Sequence, residues 1–312
     1  MQTQNETARE FAQDSQCGHD GTPLVCCGTL DYPNTDADYL ISIFGIDTEV
    51  SGAKPLEIKK DGKTLIDLNS EELPDRSACG IQSDEDRIYG GSITSPDEFP
   101  WMVVLEFKNV ITGQDEMIRC GGSIISKRFV LAAAHCIINN DFEVTKVRLG
   151  EWKLSSDPDC EYCEPVQKVR IAKIFPHPFY DSKTKNNNIA LLLLEKGITF
   201  TKEIRPICLP PENLPAPEEG AKLTVAGQIR RSEDSSRSSV SGGVQGKGAC
   251  QGDSGGPLIG SYRNKVEGRT QWYQEGIVSH GSRCGLQGYP GIYTRITGYV
   301  NWIIRVIEPE EN

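Results

Sequence analysis

Short runs of β-forming residues recur from residue 101 to the end of the chain, and turn residues separate them. The first is WMVVLEF at residues 101–107, and similar runs follow at 117–125, 128–133, 166–175, 189–194, 221–227, 271–279 and 291–296. Short strands with turns at this spacing are typical of β-barrels and β-sandwiches. The sequence therefore predicts an all-β body, which begins near Ile88.

The last part of the chain has a different pattern. Apolar residues recur there at helical spacing, namely Tyr299, Val300, Ile303, Ile304 and Ile307. Thr297 precedes them and is a suitable N-cap. We expect a C-terminal amphipathic helix that packs on the β body.

Charge divides the chain into two parts. The net charge is −11, and residues 1–87 carry 18 acidic and 7 basic side chains, whereas residues 88–312 carry 26 of each. We interpret the front as an acidic, solvated segment and the rest as a balanced globular body. Neither part has the basic stripe of a nucleic-acid-binding protein, and no apolar run approaches the ~20 residues of a membrane helix.

Eleven cysteines indicate disulfides and an oxidising compartment. The first residues, Met1 to Asn5, contain no charged and apolar signal region. We therefore expect an extracellular protein and expect that its natural N-terminus precedes Met1.

A serine lies among glycines in the run Gly252-Asp253-Ser254-Gly255-Gly256-Pro257. Glycines on both sides allow a sharp turn that exposes the serine hydroxyl. The backbone N–H groups of Gly252 and Ser254 would then point at one oxygen and form an oxyanion hole. The alternative for such a run alone is a glycine-rich turn.

A histidine lies beside a cysteine in Ala132-Ala133-Ala134-His135-Cys136, directly after a buried run. A lone histidine is more often structural than catalytic. Together with the serine motif, His135 is expected to act as the general base for Ser254.

These motifs resemble those of the chymotrypsin family of serine proteases, and the resemblance covers most of residues 88–312. It implies two six-stranded antiparallel barrels and a C-terminal helix. It also implies activation by cleavage after Arg87, after which the new amino group of Ile88 pairs with Asp253. The disulfides that it implies are Cys79–Cys208, Cys120–Cys136 and Cys250–Cys284.

The front of the chain resembles part of an arthropod clip domain, because Cys17 and the pair Cys26-Cys27 match the second half of that six-cysteine module. The three cysteines that would pair with them are absent. Residues 1–28 are therefore interpreted as a clip-domain remnant, residues 29–87 as an acidic linker and activation segment, and residues 88–312 as the protease domain.

The chain departs from the family at the third member of the catalytic triad. The family carries Asp-Ile-Ala-Leu-Leu, whereas this chain carries Asn188-Ile189-Ala190-Leu191-Leu192. A carboxylate orients the histidine and stabilises its protonated form, but an amide has no charge and can fix the wrong tautomer. We expect Asn188 to impair catalysis.

A second departure lies between Gly227 and Cys250. Only residues 228–249 separate them, and the Ser-rich residues 232–243, which we interpret as a flexible loop, occupy much of that interval. The family has at least one further strand here. Without it a barrel stays open, so the second barrel is predicted to be incomplete.

The specificity pocket is predicted to be open and uncharged. Gly248 stands six positions before Ser254, where trypsin-like members carry aspartate, and Gly281 and Gly291 would form the walls. Such a pocket favours a large apolar side chain. We therefore expect that the chain cannot cut its own Arg87 site.

No cofactor is expected, and bound calcium is the one alternative. Acidic residues cluster at 151–164, where some relatives bind calcium, and a solvated acidic turn is the favoured interpretation because calcium needs 6–8 converging oxygens.

The expected partners are a protein substrate and an upstream trypsin-like activating protease, with serpin inhibitors as a further candidate class.

Three interpretations of function remain open at this point. The chain is a serine endopeptidase zymogen of an extracellular cascade of the innate immune or developmental type, with impaired activity. Alternatively, it is a non-catalytic homologue that acts as a cofactor or decoy. The third interpretation is that it is an incomplete version of an active enzyme.

Overall fold

The computed structural model describes residues 72–82 and 95–115 and most of the rest of the chain. The further described ranges are 57–58, 65–66, 117–211, 217, 223–227, 237–241, 253–264, 269–280 and 291–308. The clip-like cysteines and the Arg87-Ile88 bond lie outside these residues. No helix in the described part is long and apolar enough to cross a membrane.

The first barrel is closed and has six antiparallel strands. In chain order they are β3 (Met102–Asn109), β4 (Met117–Ile124), β5 (Phe129–Ala132), β6 (Phe142–Leu149), β7 (Gln167–Pro176) and β8 (Ala190–Leu194). Their order around the barrel is β3-β4-β5-β8-β7-β6. The expected six-stranded barrel is confirmed, and β6, which the sequence runs did not include, completes it.

Apolar side chains fill this barrel because successive residues of a strand point to opposite faces. Leu105, Phe107, Leu131, Leu149 and Leu191 are all fully buried in it or nearly so. Strand β8 is buried along almost its whole length, and Asn188 lies just before its start.

The second sheet has five strands in the described residues and does not close. They are β9 (Leu223–Gly227), β10 (Arg237–Ser241), β11 (Pro257–Asn264), β12 (Arg269–His280) and β13 (Ile292–Arg295), in the order β10-β9-β11-β12-β13. β10 and β13 are the two edges. This confirms the predicted incomplete second barrel and an all-β fold of the chymotrypsin type.

The prediction of a flexible loop at residues 232–243 was wrong for residues 237–241. These residues form β10, which pairs along its whole length with β9. The unpaired backbone of the β9 edge accepts a strand whatever its side chains are, since the ladder uses only main-chain groups. The Ser-rich composition therefore did not prevent strand formation.

The C-terminal helix is present, although it begins later than expected. A 3₁₀ turn over Ile296–Tyr299 leads into the α-helix Val300–Ile307. Thr297 lies inside the 3₁₀ turn and is not the N-cap, so that prediction was wrong: the tighter turn occupies the position at which the helix would start. Val300, Ile303 and Ile307 are buried.

The helix docks on the first barrel through aromatic contacts. The ring of His177, at the end of β7, lies 5.3 Å from that of Tyr299 and 5.1 Å from that of Trp302. The hydroxyl of Tyr299 donates to Oδ1 of Asn187 at 2.9 Å. The helix thus packs next to the residue that precedes Asn188.

A disulfide attaches the segment before residue 88 to the β body. Cys79 is bonded to Cys208, and Gly80 forms backbone hydrogen bonds with both Pro206 and Trp272. The segment predicted to be a linker, residues 29–87, contains a two-strand ladder of β1 (Glu57–Ile58) and β2 (Leu65–Ile66).

Candidate active site

His135 lies in α1 (Ala134–Ile137), a single helical turn that follows β5 directly. The run of three alanines before it is fully buried, so the chain enters the turn from within the barrel. The disulfide from Cys136 to Cys120 joins this turn to β4. Strand, turn and disulfide together fix the backbone of His135.

Ser254 lies in the turn that leads into β11. Gly255 has a φ of +82°, a conformation that favours glycine, and its N–H donates to the carbonyl of Val278 at 2.9 Å. The carbonyl of Ser254 accepts from the N–H of Gly121 at 2.8 Å. Contacts with both β4 and β12 therefore hold the turn between the two sheets.

The disulfide sulfur of Cys136 connects the serine turn with the histidine. It lies 3.7 Å from the carbonyl oxygen of Ser254 and 3.6 Å from Nε2 of His135. The structure therefore brings the two predicted catalytic residues together at one disulfide. Cys120, His135 and Cys136 also converge, but the disulfide removes both thiolates that a metal would need.

Asn188 is fully buried beneath the histidine. Its Oδ1 accepts the backbone N–H of His135 at 2.9 Å, and its Nδ2 donates to Oγ of Ser279 at 2.7 Å. The same Nδ2 lies 2.8 Å from Nδ1 of His135, and Oδ1 lies 3.2 Å from that nitrogen.

These contacts determine the orientation of the Asn188 side-chain amide, that is, which of its two terminal atoms is the oxygen and which is the nitrogen. Exchanging Oδ1 and Nδ2 would set an amide N–H against the backbone N–H of His135, so that two donors would face each other. In this orientation Nδ2 can donate to Nδ1 of His135 at 2.8 Å, whereas Oδ1 at 3.2 Å would accept from Nδ1–H in the other tautomer. The shorter contact favours the tautomer whose proton resides on Nε2, the nitrogen that would have to take the proton from Ser254.

A carboxylate would suit the same position better. It could accept from the backbone N–H of His135, from Nδ1–H and from the Ser279 hydroxyl at once, since both of its oxygens are acceptors. It would also stabilise the imidazolium that forms during catalysis. The groups around Asn188 could thus all donate to an aspartate. With asparagine, the bonds to Nδ1 of His135 and to the Ser279 hydroxyl run in the opposite direction, and only the bond from the backbone N–H of His135 keeps its direction.

Asp253 is buried beside Gly227 at the end of β9. A side chain at Gly227 would overlap the Asp253 carboxylate, so only glycine fits there. The predicted partner of Asp253, Ile88, lies outside the described residues, as does Gly252, the second predicted oxyanion donor. Their roles stay predictions.

The predicted specificity pocket is described only in part. Gly291 is half-buried before β13, and a side chain there would crowd the ring of Tyr293. Gly248 and Gly281, together with the predicted Cys250–Cys284 disulfide, lie outside the described residues. The uncharged pocket stays a prediction.

Ser279 is a residue of the candidate site that the sequence reasoning missed. It lies in β12, and its contact with Asn188 spans 91 positions along the chain. Thr294 of β13 donates in addition to the carbonyl of Asn188 at 3.1 Å. No local motif marks either residue, because their roles arise only where the second sheet meets the first barrel.

The carboxylates of the acidic loop at residues 151–164 bond to groups within the loop and just outside it, and the disulfide Cys160–Cys163 lies within it. Glu151 accepts from Arg148 at 3.1 Å, Asp157 from the Val166 N–H, and Asp159 from two backbone N–H groups. Burial raises the pKa of both Glu151 and Asp159.

Among the described residues, no three carboxylate oxygens of this loop converge closely enough to hold a metal. Calcium binding at the loop stays the alternative to the solvated acidic turn that the sequence favours.

The sequence profile named trypsin matches residues 88–243 and 228–303. The two matched segments overlap within the interval between Gly227 and Cys250. The chain belongs to the trypsin family of serine proteases. The matched residues include the turn of His135, Asn188 and the serine turn, so the site lies in the family's own domain.

Several similar proteins carry names of insect cascade proteases. Phenoloxidase-activating factor 3 of Holotrichia diomphalia is 35% identical, with 85% of this chain and 86% of the relative covered. Serine protease ea of Drosophila melanogaster is 34% identical, covering 97% and 83%. A CLIP domain-containing serine protease, B10 of Anopheles gambiae, is 33% identical, covering 78% and 77%.

The fold is similar to that of a solved clip protease. The crystal structure of the Drosophila Grass clip serine protease of the Toll pathway superposes with a TM-score of 0.61 at 25% identity, and the match covers 96% of this chain and 86% of that one. The relatives of this chain are thus clip-domain serine proteases.

Proposed function

We propose that the chain is an extracellular serine endopeptidase zymogen of a proteolytic cascade of the innate immune or developmental type, and that Asn188 impairs its catalysis. Family membership and the names of the relatives, which include phenoloxidase-activating factors and a melanization protease, support the cascade. The observation that carries the impairment is the 2.8 Å contact between Nδ2 of Asn188 and Nδ1 of His135.

Activation would begin with hydrolysis of the Arg87–Ile88 bond by an upstream trypsin-like protease. The new amino group of Ile88 is positively charged and would pair with the Asp253 carboxylate. Asp253 lies buried at the start of the serine turn, and this position supports the role. The pairing would order the turn that contains the oxyanion donors Gly252 and Ser254.

Catalysis would then proceed through an acyl-enzyme. Oγ of Ser254 attacks the substrate carbonyl while Nε2 of His135 takes the hydroxyl proton, and His135 returns this proton to the leaving amine. A water molecule then attacks the ester, His135 accepts one proton from it, and Ser254 regains its hydrogen. With Asn188 in place, the first proton transfer is hindered because Nε2 already holds a proton.

The substrates would be proteins, and the pocket formed by Gly248, Gly281 and Gly291 would accept a large apolar side chain. The chain would therefore not cut after its own Arg87. Cleavage at Arg87 that occurs spontaneously in a pure preparation, and that Ser254→Ala abolishes, would contradict this. Serpins are the inhibitor class expected for a protease of this kind.

An active-site probe tests the proposal. The purified chain, cleaved after Arg87, should be labelled slowly at Ser254 by a fluorophosphonate, and Asn188→Asp should speed the labelling. Ser254→Ala is the control for specific labelling, and the uncleaved chain is the control for activation. If neither the chain nor Asn188→Asp is labelled after cleavage, the proposal of an endopeptidase fails.

The alternative function is that of a non-catalytic homologue that binds a protease or its substrate as a cofactor or decoy. The hydrogen bond from Asn188 and the open second sheet favour it. Two results together would establish this alternative. The cleaved chain would react with no probe, and both the wild-type chain and Ser254→Ala would change the activity of a cascade protease to the same extent.

A further inference from the structure

The hydrogen bonds of Asn188 change what His135 can offer to a ligand. Nδ2 of Asn188 lies 2.8 Å from Nδ1 of His135, and the tautomer that this contact favours carries its proton on Nε2. An aspartate at the same position would favour the opposite tautomer, in which Nε2 is an acceptor. The asparagine therefore replaces a hydrogen-bond acceptor at the site with a donor.

The serine turn supplies further donors beside the histidine. Ser254 and His135 are both half-buried, and each has an atom within 3.7 Å of the disulfide sulfur of Cys136. The carbonyl of Ser254 accepts from the N–H of Gly121, whereas its own N–H and hydroxyl donate to no residue that the structure describes. The main-chain acceptor of Ser254 is thus directed at β4, while its donors can serve a ligand.

The charges around these donors also favour an anion. Asn188 is neutral at the position where the family carries aspartate. The carboxylate of Asp253 is buried against the end of β9, where a side chain at Gly227 would overlap it. Sγ of Cys136, 3.6 Å from Nε2 of His135, is only a weak acceptor, and a carboxylate oxygen is a much stronger one. The asparagine thus removes the negative charge that would oppose an anion at this position.

We propose that the site binds the free C-terminal carboxylate of a peptide, of the kind that another protease produces when it cuts a protein. A carboxylate has about four acceptor positions. Nε2–H of His135, the hydroxyl and N–H of Ser254 and the predicted oxyanion donor Gly252 would satisfy them. The scissile carbonyl of a substrate lies against the catalytic serine, so a bound product places its new carboxylate there.

Charge would distinguish such a product from an uncut chain. An internal peptide bond has a carbonyl but no negative charge at this position, and neutral hydrogen bonds are roughly half as strong as charge-assisted ones. The predicted uncharged pocket of Gly248, Gly281 and Gly291 suits a large apolar last side chain. This role rests on the activation proposed above, which would order Gly252, but it requires no catalysis.

The test compares two fluorescent peptides that end in phenylalanine, one with a free carboxylate and one with a carboxamide. The parent chain is cleaved after Arg87 and carries Ser254→Ala, so that neither peptide is cut. Fluorescence anisotropy at pH 8, where an ordinary histidine is neutral, measures both dissociation constants. The free acid should bind about tenfold more tightly than the amide, a difference of about 1.4 kcal/mol.

The variant Asn188→Asp in this parent should abolish the preference for the acid. Nε2 of His135 becomes an acceptor there, and a negative charge returns beside the ring. The control Asn187→Asp adds the same charge one residue away, where the side chain accepts from Tyr299, and should keep the preference. Binding of the amide should be alike in all three proteins, which shows that the site is intact in each.

Equal binding of acid and amide by the parent, or binding of neither, would overturn the proposal. Retention of the preference in Asn188→Asp, or its loss in both aspartate variants, would overturn it as well, because the tautomer of His135 would then not be the cause. Fluorophosphonate labelling with Ser254 intact tests the endopeptidase separately, so the two proposals can fail independently.

Discussion

Nδ2 of Asn188 lies 2.8 Å from Nδ1 of His135, while Oδ1 of the same amide accepts the backbone N–H of His135 at 2.9 Å. The second contact fixes the orientation of the amide, and the shorter contact to the ring favours the tautomer of the imidazole that accepts at Nδ1. The asparagine therefore contacts the histidine through the same ring nitrogen that the family's aspartate would bind, but with a donor in place of an acceptor.

The variant Asn188→Asp should restore catalysis in the chain cleaved after Arg87. The carboxylate would accept from Nδ1–H of His135 and free Nε2 to take the proton of Ser254. In a well-studied protease of this family the reverse exchange lowers kcat by about 10⁴, a magnitude taken over from that enzyme. We expect a gain of several orders of magnitude in the rate of fluorophosphonate labelling.

The matched control for this change is Asn187→Asp, which adds the same charge one residue away. Asn187 accepts from Tyr299 on the C-terminal helix and does not contact His135 in the described structure. It should leave the labelling rate nearly unchanged. An increase of equal size in both variants would mean that added negative charge, and not the tautomer of His135, governs the rate.

The sequence was sufficient to predict the parts of the fold that depend on local pattern. The β-forming runs predicted an all-β body, and the resemblance to the chymotrypsin family supplied the six-stranded barrel, whose strand β6 the runs missed. The serine and histidine turns follow from their glycines and alanines. The contact between Asn188 and Ser279 could not be predicted, because it joins the barrel to the second sheet and no periodicity marks it. Strand β10 was missed for a related reason: the partner strand, and not its own composition, determines its conformation.

The variant Ser279→Ala should lower the free energy of unfolding by about 1 kcal/mol. The Ser279 hydroxyl accepts from Nδ2 of the fully buried Asn188, so its loss removes a buried acceptor. Urea unfolding followed by tryptophan fluorescence measures the difference. Ser261→Ala removes an exposed hydroxyl in β11 and should have little effect, so an equal loss there would argue against the role of the Asn188 contact.

Glu275 of β12 should make the stability of the second sheet depend on pH. Burial raises the pKa of its carboxyl, which accepts from the hydroxyl of Tyr262. The folded chain therefore holds a proton that the unfolded chain releases near pH 4.5, the ordinary pKa of glutamate. Stability from this group is present below that pH and is lost as the pH rises toward the raised pKa.

The variant Glu275→Gln cannot ionise and should remove this contribution. Its free energy of unfolding should fall less than that of wild type between acidic and neutral pH, as measured by urea unfolding over that range. Glu143→Gln, at an exposed position of β6, is the matched control and should follow wild type. A pH profile of Glu275→Gln that is parallel to wild type would contradict the assignment.

The Cys79–Cys208 disulfide should keep the front segment attached after cleavage at Arg87. Cys79 lies before the cleavage site and Cys208 after it, so the bond spans the two products. Limited digestion with a trypsin-like protease, with N-terminal sequencing to identify the product that begins at Ile88, should give one band on a non-reducing denaturing gel and two after reduction. In the variant Cys79→Ser with Cys208→Ser, two bands should appear without reduction.

The same variant should still elute largely as one species in native size-exclusion chromatography, because the hydrogen bonds of Gly80 with Pro206 and Trp272 do not depend on the disulfide. Release of the front segment from cleaved wild type without reduction would show that this disulfide does not form in solution.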